Sequence, residues 1–305
     1  METDILLGAS VRDPERNLLL PAGTWLTDTV MADLAQRGRA RQFPVARFAD
    51  HATLLRDTLA LCQQPPYHHV FDEPLRLQAL TETFQRLTCP LPLLEIIADF
   101  KGYEPYTYRH MLIVYALSLL LAQELFTDRH SLEQEAMAAP THDFGKLNVP
   151  LPVLIKDEDI DAAEQRQLQH HAAAGYALLS YYLGDPRHPA ALIARDHHER
   201  RDGSGYPRGI RQDNRVVEVV LVCDIFDALV AARPYRPTAY DVRTALEEIT
   251  VLAERGEVQT DVVRALVACL RQEHPGFQQV ELSHERRGQT PTGNHYRGVR
   301  STKKD

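Results

Sequence analysis

Two adjacent histidines, His197 and His198, open the stretch HHERRDGSGYP that runs from position 197 to 207. Neighbouring imidazoles crowd a single ion, but they suit two ions lying side by side, each taking one ring. The pair His142 and Asp143 offers an imidazole and a carboxylate from consecutive residues. Adjacent residues on a helix point about 100° apart, so both reach one ion only near a helix terminus, which Gly145 is placed to supply. His171 precedes Gly175 by four residues, which leaves the facing turn without a side chain and open to close approach by another element. Asp224 follows the apolar run VVLV, and a carboxylate buried there is costly without a cation. His110 shares a helix face with Val114, Leu117 and Leu121 and points inward from the end of that stripe. Together His110, His142, Asp143, His171, His197, His198 and Asp224 supply imidazoles and carboxylates for a two-metal centre with positions open to water. Such a mixed nitrogen and oxygen set suits iron or manganese as well as zinc.

Taken singly, each of these residues has a plainer reading. A histidine-aspartate dipeptide is usually accidental, and one histidine on an apolar face is more often a satisfied core residue. The combination carries the weight, because unpaired buried ionisable groups are expensive. Eight of the fourteen histidines fall between His110 and His198.

The remaining composition sets limits. A chain of 305 residues, 44% hydrophobic and 25% charged, can bury one large core plus a small accessory module. A net charge of -8 and a pI near 6.0 argue against a nucleic-acid coat or a membrane-surface binder, both of which need a broad positive field. Any anionic ligand must then meet a local basic pocket. Cys62, Cys89, Cys223 and Cys269 are far apart and form no CxxC pair, as expected in a reducing cytosol. The longest apolar run, MLIVYALSLLLA at 111–122, falls short of the roughly 18 to 20 residues of a membrane span. The expected location is cytoplasmic.

The elements that must position the candidate ligands are helical. Residues 1–48 read as a small α+β module: Thr27 and Asp28 cap a helix that Gly38 ends, ARQFPV forms a short strand, and Trp25 and the LLL run at 18–20 belong to a core. Residues 49–94 read as a helical linker region. From 95 to 283 the pattern is that of an all-α bundle, with helices expected near 107–126, 131–143, across His170 and His171, before His197, and across Asp224, and a strand stub conceivable only near Val216. His68, His69, His130 and His188 read as loop residues. Residues 284–305 are poor in apolar side chains and rich in Arg and Lys, which reads as a disordered basic tail.

HDFGK, HHERRDGSGYP and DIFDALVAARPYRP together resemble the HD-GYP family, a branch of the HD metal-dependent phosphohydrolases that hydrolyses cyclic di-GMP. The resemblance covers roughly residues 95–275. It implies an HD-type helical bundle and a phosphodiesterase that cuts cyclic di-GMP to linear pGpG, and possibly on to GMP, through a hydroxide shared by the metals. It places the seven residues named above on metal-ligand positions. It also puts Asp143 and Lys146 in catalysis, with Lys146, Arg233 and Arg236 contacting the dinucleotide. Asp202, Gly203, Gly205, Tyr206 and Pro207 match the motif itself.

Some members carry a glutamate one turn before the first histidine ligand and bind a third ion. Tyr106 occupies that position here, so two iron or manganese ions are expected rather than three. Phe144 and Leu147 replace commoner isoleucines. Protein partners at the GYP surface and a homodimer are compatible with the family, and neither a membrane nor a nucleic acid is expected as a partner. The rivals are a silent module that binds nucleotide or docks signalling proteins, and an HD-type hydrolase of nucleoside triphosphates or guanosine alarmones.

Overall fold

In the computed structural model, residues 4–127, 139–156, 158, 160–232 and 238–291 are described. The chain is mostly helical. At its start, β1 (Val11–Arg12) pairs antiparallel with β2 (Leu18–Leu20). Helix α1 (Asp28–Arg41) follows, with the Thr27 hydroxyl accepting from the Val30 amide. A second small ladder joins β3 (Val45–Arg47) to β4 (Thr88–Pro90) across the intervening helices α2 (Ala52–Cys62) and α3 (Pro74–Arg86). Helices α4 (Leu91–Tyr103) and α5 (Pro105–Leu125) come next, then the short α6 (Leu151–Leu154), α7 (Ala162–Leu183), α8 (Pro189–Asp196), α9 (Arg215–Val230), α10 (Val242–Glu254) and α11 (Thr260–Leu270).

Two helices form the centre of the molecule. Helix α5 buries every residue from His110 to Ala122, and α9 every residue from Val217 to Val230, so over these stretches neither turns a polar face to solvent. A helix with no polar face has to be surrounded. Accordingly α5 packs against α9, α4, α2 and α11, while α7 packs against α1 and α8. One hydrophobic cluster runs through the described residues from Ile5 to Cys269, so the N-terminal strands share the core of the bundle.

Local signals explain the helix bounds. Asp161 accepts from the Ala163 and Glu164 amides and Glu164 returns to the Asp161 amide, a reciprocal cap that starts α7. Gly184, at φ 67°, ends it in the left-handed conformation. Asn214 caps α9, and Val216 lies within that helix rather than in a strand stub. The valine run there is helical because it belongs to a sixteen-residue segment buried on all sides from Val217 onward.

Several expectations are corrected. Gly38 does not end α1: the helix continues to Arg41, with left-handed Gln42 after it. A Cβ on Gly38 would lie 1.7 Å from the Tyr181 carbonyl oxygen, so the glycine permits α1 to cross α7 closely. Trp25 is 54% exposed, on the solvent side of a bridge to Leu6, and of the LLL run only Leu19 and Leu20 are buried. His188 lies in the loop as expected and there caps α8, its Nδ1 accepting from the Ala190 amide. Residues 284–291, the first part of the expected tail, lie along α10, where the Arg287 and Gly288 amides donate to Glu247. No helix among the described residues is long and apolar enough to cross a membrane.

Candidate metal centre

His142 and Asp143 do not end a helix. Most of the helix expected over 131–143 falls outside the described residues, and the pair sits between two 3-10 turns, Ala139–Thr141 and Phe144–Asn148. The second turn presses on α7 at Gly145, where a Cβ would lie 1.8 Å from the His171 carbonyl oxygen and 2.5 Å from the Gly175 nitrogen. Gly145 therefore serves close approach rather than helix termination, and its partner is the Gly175 turn. This contact brings Asp143 beside His171, 28 positions further along the chain.

His110 reaches the same point from α5, His197 and His198 from the end of α8, and Asp224 from α9. All seven sequence candidates meet. Their ligand atoms form three interlocking groups, namely His110 with His142 and Asp224, His142 with Asp143 and His197, and His171 with His197 and His198. Asp143 lies between the outer two, with Oδ2 3.5 Å from both His110 and His142 Nε2, and Oδ1 3.6 Å from His171 Nε2. The Lys146 ammonium stands 2.6 Å from Asp143 Oδ2.

Backbone and carboxylate acceptors fix the tautomers. The Nδ1–H groups of His142 and His171 donate to the carbonyls of Ala139 and Leu168, each at 2.6 Å. His197 Nδ1–H donates to Ala194 at 3.0 Å and Ile193 at 3.1 Å. These acceptors have no proton to give, so each Nδ1 must carry one, and each neutral ring presents a bare lone pair at Nε2. His171 and His197 Nε2 face each other at 3.2 Å. Burial holds both rings neutral, pushing His171 down to about 3 and His197 below its ordinary value. Two lone pairs at that distance repel unless a cation lies between or beside them, and this is the donor set a divalent metal takes.

The His110 end is charged differently. Burial disfavours its imidazolium, but Asp224 at 3.0 Å and Asp227 at 2.6 Å outweigh that and raise it to about 9. Burial opposes ionisation of Asp143 too, yet Lys146 and the surrounding imidazoles hold its carboxyl well below the usual range.

The GYP stretch builds the wall beside His198. Tyr206 stacks on the His198 ring at 4.5 Å, and the Gly205 backbone lies where a Cβ would be 2.3 Å from the His198 carbonyl oxygen. Gly203 and Gly209 take positive φ, and Asp202 accepts from the Ser204 amide to tighten the turn. Buried Glu199 accepts from the Arg208 and Ile210 amides, and Arg208 bonds Asp196 at 2.8 Å across the base of the loop. Tyr206 and Pro207 are joined by a cis peptide bond.

A family model described as HD domain matches residues 75–258, more than half of the chain. The chain belongs to the HD domain family.

Among proteins similar to this HD domain chain is a cyclic di-GMP phosphodiesterase of Thermotoga maritima, 34% identical over 48% of the chain. The cyclic di-GMP phosphodiesterase response regulator RpfG of Xanthomonas campestris pv. campestris is 39% identical over 46%. The 3'3'-cGAMP-specific phosphodiesterase 3 of Vibrio cholerae is 38% identical over 49%. The matched stretches span 40%, 36% and 32% of those relatives' lengths.

Of the residues expected in this HD domain to contact substrate, Lys146 lies at the centre, while Arg233 and Arg236 fall outside the described residues. Sequence reasoning missed two residues. Asp227 accepts from His110 Nδ1, and Tyr67 donates its hydroxyl to the other oxygen of Asp227. For Asp227 a signal was present, since it sits one turn after Asp224 on the same helix. For Tyr67, 160 positions away, none was.

Proposed function

We propose that this chain is a metal-dependent phosphodiesterase acting on a cyclic dinucleotide, cyclic di-GMP foremost, and that it opens the ring to linear pGpG. The observation that carries the reading is the facing pair of bare Nε2 lone pairs on His171 and His197, set beside the anionic cluster of Asp143 and Asp224. The seven residues His110, His142, Asp143, His171, His197, His198 and Asp224 would hold two divalent ions, iron or manganese. Such ions supply Lewis acidity and a water nucleophile at neutral pH.

The chain's own residues do the rest. Asp143, reaching both ends of the centre, fixes the spacing between the two positions. Lys146, held beside Asp143, brings positive charge to a non-bridging phosphate oxygen, and Arg233 and Arg236 are assigned the same task by bidentate contact. Tyr206, stacked on His198, keeps that ring in place and walls the site on the side of the GYP turn. Two ions rather than three follow from the residues around Tyr106. That ring stacks on His110, and the Glu104 carboxylate two residues before it is taken up in capping α5 through the Tyr106 and Thr107 amides.

A second substrate, 3'3'-cGAMP, is favoured by the Vibrio cholerae relative at 38% identity. The test is anaerobic incubation of iron- or manganese-loaded protein with each dinucleotide in turn, next to an Asp143→Ala control. Release of pGpG from cyclic di-GMP by the wild type alone supports the reading. Cleavage of 3'3'-cGAMP only would reassign the substrate. No product from either, with both metals bound, would reject the enzyme reading in favour of a binding module.

A further inference from the structure

Tyr67 precedes the stretch matched by the HD domain, which begins at residue 75. It lies in the turn after α2, held by its amide donating to the Gln64 carbonyl and by its own carbonyl accepting from the Val70 amide. From there its hydroxyl donates to Asp227 Oδ1, while Asp227 Oδ2 accepts from His110 Nδ1 at 2.6 Å. The three side chains are buried, at 3%, 1% and 3% exposure. Burial, reinforced by the Asp227 charge, pushes the Tyr67 hydroxyl well above its ordinary value, so it remains a donor.

A buried carboxylate with a single imidazole partner can pivot about its Cβ–Cγ bond and carry the ring with it. A second donor on the opposite oxygen removes that freedom. Outer partners of this kind orient a ligating histidine and raise its basicity, and their loss costs about 10- to 100-fold in metal affinity. The other rings lack such a link. His142, His171 and His197 rest on carbonyls no more than four residues away and His198 stacks on Tyr206, so among the described residues His110 is the ring oriented through a residue outside the HD domain stretch.

We propose that Tyr67 is a positioning residue for the metal centre, fixing through Asp227 the ring and tautomer of His110. The segment ahead of the HD domain thereby sets affinity for the ion at the His110 end and leaves the ion at the His171 end alone. The proposal rests on the metal reading above. Its test uses Mn(II) alone, without dinucleotide, so that the two can fail separately.

Equilibrium dialysis of the full chain measures two binding constants for the wild type, Tyr67→Phe, Asp227→Asn and Tyr108→Phe. The last variant also removes a tyrosine–carboxylate bond on α5, the one to Asp57, and serves as the control for a purely structural loss. Tyr67→Phe should weaken one ion about tenfold and leave the other unchanged, Asp227→Asn should weaken the same ion further, and Tyr108→Phe should change neither. Wild-type constants in Tyr67→Phe, or equal weakening of both ions there and in Tyr108→Phe, would overturn the proposal. A wild type that binds no Mn(II) would remove the metal reading and this proposal together.

Discussion

Around His110 the ring lies between two carboxylates, Asp224 at 3.0 Å and Asp227 at 2.6 Å; around His171 and His197 the ring partners are backbone carbonyls, one another and, for His171, the His198 ring at 3.1 Å. The first arrangement can be satisfied by a proton, because a charged imidazole between two anions is well paired. The second cannot, because burial keeps both rings neutral and both Nδ1 atoms are already committed. The difference teaches that the two ends of one metal centre have different alternatives to metal. A cation at the His110 end replaces a proton, whereas a cation at the His171 end meets the Nε2 atoms of neutral rings, with His198 Nε2 3.1 Å from His171 Nε2 as their one neighbouring donor among the hydrogen bonds described. Asp143 is the residue common to both.

The most drastic way to break that contrast is to remove the shared ligand. Asp143→Ala should cost both ions, each by more than the about 100-fold that marks the upper end for outer-sphere losses, and should abolish turnover. Retention of one ion at wild-type affinity, read by dialysis, would show that Asp143 serves one end only.

Acidity separates the ends next. His110 without metal titrates at about 9, so below that pH a proton must leave before an ion binds there. Affinity at this end should rise about tenfold per pH unit between 7 and 9 and then level off. His171, pushed down to about 3, is already neutral over that range, and affinity at its end should stay flat. Binding isotherms at pH 7, 8 and 9 check both slopes.

Backbone packing separates them more gently. Gly145→Ala drives a Cβ into the His171 backbone and should destabilise the fold by about 1–3 kcal/mol, since helix α7 has to shift. Thermal melting should register this as a loss of several degrees, with weaker metal binding at the His171 end. Gly102→Ala, in α4 with open space around it, should change stability in the opposite direction, by no more than about 1 kcal/mol.

Much of the centre was legible because its ligands are chemically conspicuous. Buried histidines and aspartates beside small residues have few other uses, and His110, His142, Asp143, His171, His197, His198 and Asp224 do converge. The helices were legible for the same reason that α5 and α9 are central, namely their length and high apolar content. What escaped was set by contacts distant in sequence. Gly38 looked like a helix stop because glycine usually is one after a periodic run, and only the crossing with α7 gives it another use. His142 and Asp143 looked like a helix end because the turn at 144–148 is shaped by α7. Trp25 looked like core because aromatic residues usually are, yet it and its bridge partner Leu6 are both exposed. Tyr67 carries no mark of its role other than a hydroxyl, and its partner Asp227 is 160 positions away.

The most direct measurement is the number of ions per chain in three anaerobically Mn(II)-loaded proteins: the wild type, His110→Ala and His171→Ala. Two ions in the wild type and one in each variant, with the remaining ion showing the pH slope of the opposite end, is the expected result. No bound ion in the wild type, or unchanged stoichiometry and affinity in both variants, would contradict a two-ion centre built on these residues.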